Sequence, residues 1–494
     1  MARSKQAVII GGGLAGLSAA CYMARAGYRT ILFEKNPAVG GKAQFAEDSG
    51  FKFSLGPNWY TMPDIYEDFF RDFGQSPEDH YTLTKLNPAF RSFTPTGKLD
   101  AIELPRLAEQ LDTSTPGEGL GLKRLVNRSK VIYSKYKLNL MSASFNGYKS
   151  LFNPKLLISA LSVPRTTAEV RNNKLLRSPE SRAMISQIDS IFGVPSSSLP
   201  ALYSFLPYSV FEQGVWYPTG GFGSVIAAFK SLAQQLGVEI YEGYQVEKIE
   251  VEFGVASAVL IRGLGERIPA DVIISASDYR QTESMLSEAY QSYSLKYWSL
   301  KKYSPSSIVA SLGLNTQVPE LLHHNTFSFN QSGTPLDLLN LTSWPTQAEN
   351  FQVACPSLTD PSLAPAGGSV LTITIPIPAG LPPEQEAVEN LVSQAIKQIE
   401  AVTGFELSQH IVSKHNVSSG YFKEMFNSPG GSTNGVALSK GQVLYRRPSL
   451  KSKRLGNLFF AGQDVNPGPG APFAIVSGKL AAYSALGKKP EARL

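Results

Sequence analysis

Two cysteines and five histidines are all that a chain of 494 residues carries, and this scarcity removes several kinds of protein at once. Cys21 and Cys355 could form at most one disulfide, which excludes a stapled secreted scaffold and points to a reducing compartment. No histidines or cysteines have the spacing of a zinc site and there is no His-Glu-x-x-His, so no metal centre is expected. Gly-x-Ser-x-Gly is missing too; Ser224 in GFGSV lacks the flanking pattern of a hydrolase nucleophile. Every apolar run is cut by proline, glycine or charge before the ~18 residues that a spanning helix needs. The opening MARSKQAVII passes from basic residues straight into an apolar strand, so no secretory leader is expected and the cytoplasm is the expected location.

What is present is unevenly distributed. Between Leu122 and Arg182 stand thirteen Lys or Arg against two acids, Glu169 and Glu180, a net +11 in a chain of net +6. Apolar and aromatic groups interleave with these cations in VIYSKYKLNLM, SLFNPKLLISALSV and KLLRS. Such a segment suits an anionic lipid surface, a solvated basic helical face or, less readily, nucleic acid.

Residues 6–35 hold the clearest motif. An apolar strand, Ala7–Ile10, runs into Gly11-x-Gly13-x-x-Gly16, then an Ala/Leu-rich helix, Gly27, and a second strand, Thr30–Phe33, ending at Glu34. This is a βαβ unit with the dinucleotide fingerprint in its confirming context. Gly11 makes the turn, Gly13 admits the pyrophosphate to the backbone, Gly16 lets helix and strand approach, and Glu34 is placed to accept from a ribose hydroxyl. The unit alone leaves NAD and FAD both open. After it, the Gly40-Gly41 doublet permits close approach of a ligand and Lys42 can neutralise phosphate charge.

Farther along, the pattern predicts a helix over 64–73 and mostly helix over 76–210, with breaks at Pro154, Pro164, Pro179 and Pro195. A Gly-rich turn (Gly220, Gly221, Gly223) precedes a helix to Leu236 and strands near 238–241 and 246–251; RIPADVIISAS (267–277) reads as one buried strand ending near Asp278. Residues 285–415 read as α+β, with strands SSIVASLGL and SVLTITIPIP and the helix EQEAVENLVSQAIKQIEAV. The chain closes with LGNLFFAGQD, a buried strand that presents Gly462, Gln463 and Asp464. The loop VNPGPGAP then delivers Pro472, Phe473 and Ala474 to a helix start, whose free amides suit the anionic edge of a reduced flavin. The expected fold is α/β: a discontinuous Rossmann-like nucleotide-binding domain (1–75, 211–284, 416–494) with an inserted basic, mostly helical region (76–210) and an α+β domain (285–415).

Several blocks together carry a family likeness: the Gly11–Gly16 fingerprint with Glu34, VGGK, GFKFSLGPNWYTMP, GVWYPTGGFGSVIAAF, ADVIISASD and GQVLYRRPSLKSKRLGNLFFAGQDVNPGPGAP. In these the chain resembles the FAD-dependent carotenoid desaturases of the bacterial and fungal phytoene desaturase type, relatives of the amine oxidases. It departs where the family usually has Gly-Gly-Arg (here Lys42), Phe-Asp-x-Gly-Pro (here Phe53-Ser54-Leu55-Gly56-Pro57) and Thr-His-Pro-Gly (here Val465-Asn466-Pro467-Gly468). The resemblance implies FAD, a lipophilic carotenoid substrate and peripheral attachment to a membrane surface, and makes the three regions a Rossmann-like FAD-binding domain, a helical membrane or lid region and an α+β substrate-binding domain. Expected FAD contacts are Gly11, Gly13, Leu14, Ala15, Gly16, Glu34, Lys35, Gly41, Lys42, Pro57, Asn58 and Val246, with Gly462, Gln463, Asp464, Pro472, Phe473 and Ala474 from the C-terminal block. Trp59, Tyr60, Met62, Trp216, Tyr217 and Phe473 are candidates for the substrate channel wall.

The chemistry implied is hydride transfer from an allylic carbon to FAD with loss of a neighbouring proton, which a weak base suffices to accept. No individual base is singled out. Because there is no second dinucleotide fingerprint, oxygen or a membrane quinone is the expected electron acceptor. A carotenoid isomerase, ketolase or saturase is the main alternative; an amine oxidase and a non-enzymatic flavin scaffold are the others.

Overall fold

The computed structural model describes residues 4–139, 141, 166–263, 265–329, 337–382 and 384–488. The SLFNPKLLISALSV stretch, Lys149, Lys155, Arg165, Pro154 and Pro164 lie outside the described residues.

Strand Gln6–Ile10 is buried at every position, in one core with helix Leu14–Arg25 and with the strands Val246–Glu252 and Val255–Ile261, so its residues form a continuous apolar run. It pairs in parallel with Arg29–Glu34 on one side and Val272–Ser275 on the other. The full order is Leu458–Phe460, Val272–Ser275, Gln6–Ile10, Arg29–Glu34, Glu239–Glu242, all parallel. Helix Leu14–Arg25 packs against the C-terminal helix Ala471–Ala485. Their approach requires Gly478, since a Cβ there would stand 2.2 Å from the Ala15 carbonyl oxygen.

The 267–277 stretch, expected as one strand, is two. Arg267–Pro269 ends a three-stranded antiparallel sheet with Val246–Glu252 and Val255–Ile261, while Val272–Ser275 joins the parallel sheet. Pro269 offers no N–H to extend the first ladder. The Asp271 carboxylate then accepts the Gln6 N–H at 2.6 Å and turns the chain into the second sheet.

A seven-stranded sheet runs in the order Ile411–Val417, Ser306–Leu314, Ser369–Ile377, Asn350–Ala354, His324–Ser328, Arg91–Thr94, Gly97–Asp100. Its last two strands come from a stretch expected to be mostly helical; four-residue strands are too short to show a period. Alternation sorts the central strands. Leu312, Phe327, Phe351 and Ile373 pack beneath helix Gln385–Thr403, and the intervening residues face the opposite way. Between 101 and 200 the described chain is helical, with Leu104–Ser114, Glu118–Asn139 and Pro179–Asp189 as its longer helices. Pro179 starts a helix, with Ser178 capping it by accepting the Ser181 N–H at 3.1 Å.

Candidate active site

The C-terminal ends of the parallel strands converge where the strand order reverses, between Gln6–Ile10 and Val272–Ser275, the usual ligand position in such sheets. Gly11 leaves the first strand at φ 99° and a Cβ on Gly16 would lie 1.9 Å from the Gly11 carbonyl oxygen, so the turn tolerates no side chain there. Gly41, at φ 57°, brings a second loop against Gly13; a Cβ on Gly41 would be 3.0 Å from the Gly13 Cα. Helix Leu14–Arg25 starts at Gly13 with no side-chain cap, leaving first-turn N–H groups at its positive end. This narrow cradle of bare backbone fits a pyrophosphate.

Glu34 closes the cradle. Its two carboxylate oxygens accept the Gly12 N–H (2.7 Å) and the Asn36 N–H (2.8 Å), and both retain lone pairs for a ribose hydroxyl. Burial raises its pKa while those N–H groups draw it back.

From the cradle a cavity of about 530 Å³ extends between the helical segment and the seven-stranded sheet. Gly11, Gly13, Leu14 and Ala15 line it from the first loop, with Glu34, Lys35, Gly41 and Lys42 from the second. Pro57, Asn58, Val246, Gly462, Gln463, Pro472 and Ala474 complete this part of the wall. Gly16, Asp464 and Phe473 stand behind it. Asp464 is buried and accepts the Val436 N–H at 2.9 Å, and Phe473 stacks on Phe192 at 5.5 Å.

Of the aromatic and apolar channel candidates, Trp59 and Met62 line the cavity, Trp59 stacked on His324 at 4.4 Å. Phe473, Tyr60, Trp216 and Tyr217 sit in packing outside the wall. Tyr60 is fully buried, stacked on Tyr66 and hydrogen-bonded to the Tyr81 hydroxyl at 3.0 Å. Trp216 lies beneath the Lys85 ammonium, and Tyr217 beside His323 with its hydroxyl donating to Asp360. Strand Trp216–Pro218 pairs with Leu83–Lys85, which commits both side chains to that contact.

Lys42 is turned from the cradle's mouth. Its Nζ donates to the Thr433 carbonyl (2.6 Å) and to Gln463 Oε1 (2.7 Å). Burial pushes its pKa down to about 8, against the pull of Asp464 and Asp278. Asp278 is pushed up to about 8 by burial and by the neighbouring Asp464, while Lys42 draws it down. Lys42, Asp278 and Asp464 thus influence one another electrostatically in a buried cluster at the cavity edge. Burial also holds His323 at about 4 and His324 well below its usual value, so both are neutral, and it raises both cysteine thiols. Among the described residues no cluster of His, Cys, Asp or Glu could hold a metal ion.

The Pro/Gly loop has a definite support. The Pro467 carbonyl accepts from the hydroxyls of Tyr136 (3.1 Å) and Tyr203 (3.2 Å), and the Asn466 amide donates to the Leu444 carbonyl (2.8 Å). Arg447, buried to 2 % exposure, donates to the carbonyls of Val436, Gln442, Gln463 and Val465. So held, Gly470 (φ 116°), Ala471 and Pro472 set the start of the last helix on the cavity wall.

The sequence reading assigned no site role to Asp278, Thr433, Phe192 to Pro195, or the sheet residues Asn350, Gln352 and Thr374, all on the wall. Asp278 could have been found as the end of a buried strand and SPGGSTNG (428–435) as a turn; the sheet residues could not, because their position depends on pairing between distant strands.

Over residues 14–486 the chain matches the flavin containing amine oxidoreductase family. It is 29% identical over 488 residues to a carotenoid 3,4-desaturase of Haloarcula japonica, covering 97% of each chain. It is 30% identical to a 4,4'-diapolycopene oxygenase of a Methylomonas species, again over 97% of each. A zeta-carotene-forming phytoene desaturase of Myxococcus xanthus is 28% identical, with 97% of this chain and 93% of the relative covered. Among solved structures, putrescine oxidase bound to putrescine superposes with a TM-score of 0.63 at 13% identity, covering 98% of this chain and 99% of the other. At that identity the likeness speaks for the fold alone. The glycine cradle, Glu34 and the helix-start loop fit FAD, and by sequence and fold together the chain is an FAD-dependent oxidoreductase of the flavin containing amine oxidoreductase family.

Proposed function

We propose that this enzyme desaturates a long acyclic carotenoid. The observation that carries the reading is that the cavity does not end at the cofactor cradle. It continues past Trp59 and Met62 to Ile191, Phe192, Leu206 and Leu338, a mainly apolar arm suited to a polyene chain. Relatives that match nearly the full chain are named for carotenoid oxidations.

When bound, FAD supplies a two-electron acceptor for removal of a hydride and a proton from adjacent carbons, giving one C=C per turnover. The protein's part is positioning and exclusion of water. Gly11, Gly13 and Gly41 would hold the pyrophosphate, Glu34 the ribose, and the start of the last helix the electron-rich edge of the ring. Phe205 and Phe473, packed against the wall residue Phe192, keep that side dry.

In this reading, residues 1–75, 211–284 and 416–494 form the FAD-binding domain, 76–210 the membrane-associating entry region and 285–415 the substrate-binding domain, to whose sheet the entry region lends strands Arg91–Thr94 and Gly97–Asp100. Two surfaces support peripheral attachment to the cytoplasmic face of a membrane. Helix Glu118–Asn139 exposes Leu120, Arg124, Arg128, Val131 and Lys135 along one side. A second surface joins exposed Leu295 and Leu300 to Lys296, Lys301, Lys302, Arg446, Lys451 and Lys453; within 291–302 and 438–454 there is no Asp or Glu. Among the described residues no helix is long and apolar enough to cross a membrane. Oxygen or a membrane quinone would reoxidise the flavin.

Oxygenation of a chain end is the second reading, favoured by the 30% identity to the Methylomonas oxygenase. Mass-resolved pigment analysis of colourless cells that accumulate phytoene, with and without this chain, tests both. Products lighter by two hydrogens per step are expected. Products heavier by oxygen support the second reading, and unchanged phytoene beside folded, flavin-loaded protein contradicts desaturation of phytoene.

A further inference from the structure

Three ionisable side chains to which the proposed reaction gives no part stand together at the cavity edge. Lys42 follows the second glycine loop, Asp278 follows strand Val272–Ser275 and Asp464 follows strand Leu458–Phe460. Lys42 and Asp278 line the cavity together with Gly462, Gln463 and the helix-start residues Pro472 and Ala474, and Asp464 is buried behind them. A Cβ on Gly435 would stand 2.3 Å from Asp464 Oδ1, so the loop that carries Thr433 packs directly on this cluster.

Lys42 Nζ is held by uncharged acceptors alone: the carbonyls of Thr433 (2.6 Å) and Ser432 (3.4 Å) and Gln463 Oε1 (2.7 Å). Asp278 accepts the Gln281 N–H at 3.0 Å and Asp464 the Val436 N–H at 2.9 Å. Three other charged or titratable groups face the cluster. Arg447 is committed to its four carbonyls, Arg280 stands on the helix that Asp278 caps, and the buried Tyr303 hydroxyl has no hydrogen-bond partner among the described residues. Burial leaves both Lys42 and Asp278 titrating at about 8, so together they hold fewer protons at pH 8.5 than at pH 6. Lysine permits this; an arginine in its place would keep its proton.

A hydride brings the flavin two electrons and one proton, and so leaves one negative charge on the ring. In a buried site such a charge is costly unless a positive one appears near it. We propose that the Lys42–Asp278–Asp464 cluster takes up one proton when the flavin is reduced, so that the charge of the reduced ring is matched inside the protein. During desaturation the substrate gives a hydride to the flavin and a proton to water, the cluster takes one proton from water, and no net proton is released. On reoxidation that proton departs with the two electrons and the ring's hydrogen, as reduction of oxygen or of a quinone requires.

The test counts protons on flavin-loaded full-length enzyme with no carotenoid present. In dilute buffer without oxygen the flavin is reduced by reduced methyl viologen, which carries electrons and no protons, and the acid needed to hold the pH is titrated against loss of flavin absorbance. Forming the anionic ring consumes one proton at any pH, so about two protons per flavin are expected at pH 8.5 and about one at pH 6. Lys42→Arg combined with Asp278→Asn, in which neither position titrates, should take up about one at both. Should that variant not retain FAD, the wild-type trend decides alone. One proton at both pH values overturns the inference, and so does a count that falls as pH rises, which would place the second proton on the ring itself. The inference rests on the FAD site alone, and its failure leaves the carotenoid reading standing.

Discussion

Gly16 and Asp278 show how single residues fix the cofactor site. Gly16 has no room for a methyl group beside the Gly11 carbonyl, so Gly16→Ala must move either the helix or the turn. Purified Gly16→Ala is expected to lose most of its flavin absorbance while keeping its far-ultraviolet circular dichroism; full flavin content would contradict the cradle. Asp278 acts through its proton. Its carboxyl ionises near pH 4 in an unfolded chain but at about pH 8 when folded. Between these values the folded state holds the extra proton, so its contribution to stability falls as pH rises and levels off above 8. Asparagine keeps the cap on the Gln281 N–H without ionising. The Tm of Asp278→Asn relative to the wild type should therefore climb from about pH 5 to pH 8; a constant offset would show that the carboxyl ionises normally. Lys42→Met removes the charge that draws the Asp278 pKa down, so the region in which wild-type stability falls should extend to higher pH.

At the scale of an element, the Pro/Gly loop is held by groups far away in the chain. Arg447→Met leaves several buried carbonyls without donors, a loss of about 3 kcal/mol or more, and should lower Tm and flavin content together. Tyr136→Phe removes one of two hydroxyls on the Pro467 carbonyl and should cost only about 1 kcal/mol. Equal effects would mean that the tyrosines, not Arg447, hold the loop. This loop was legible in the sequence as a break followed by a helix start, because proline and glycine act locally. Its support was not: nothing in RRPSL says that Arg447, rather than Arg446, turns inward. The 267–277 stretch misled for a related reason, since its apolar run passes through a change of sheet that only Pro269 marks.

Across the whole molecule, legibility followed sequence distance. The βαβ unit with Glu34 and the C-terminal strand, loop and helix were readable because each is contiguous and its glycines and prolines have specific conformational roles. The cavity's sheet wall was hidden, since Val309, Gln352 and Thr374 become neighbours only through pairing of strands distant in the chain. The charge pattern gives one more molecular prediction. Lys123→Glu, Arg124→Glu and Arg128→Glu together should weaken sedimentation with anionic vesicles by roughly 100-fold or more, at about 1 kcal/mol per cation, and added salt should weaken the wild type; equal binding to neutral vesicles would contradict an electrostatic contact. Whether the enzyme's FAD oxidises a carotenoid is decided by anaerobic mixing with acyclic carotenoids, followed by flavin absorbance and product mass. Bleaching with one new double bond per flavin reduced is expected. Flavin that stays oxidised with every acyclic carotenoid but bleaches with a polyamine would contradict it.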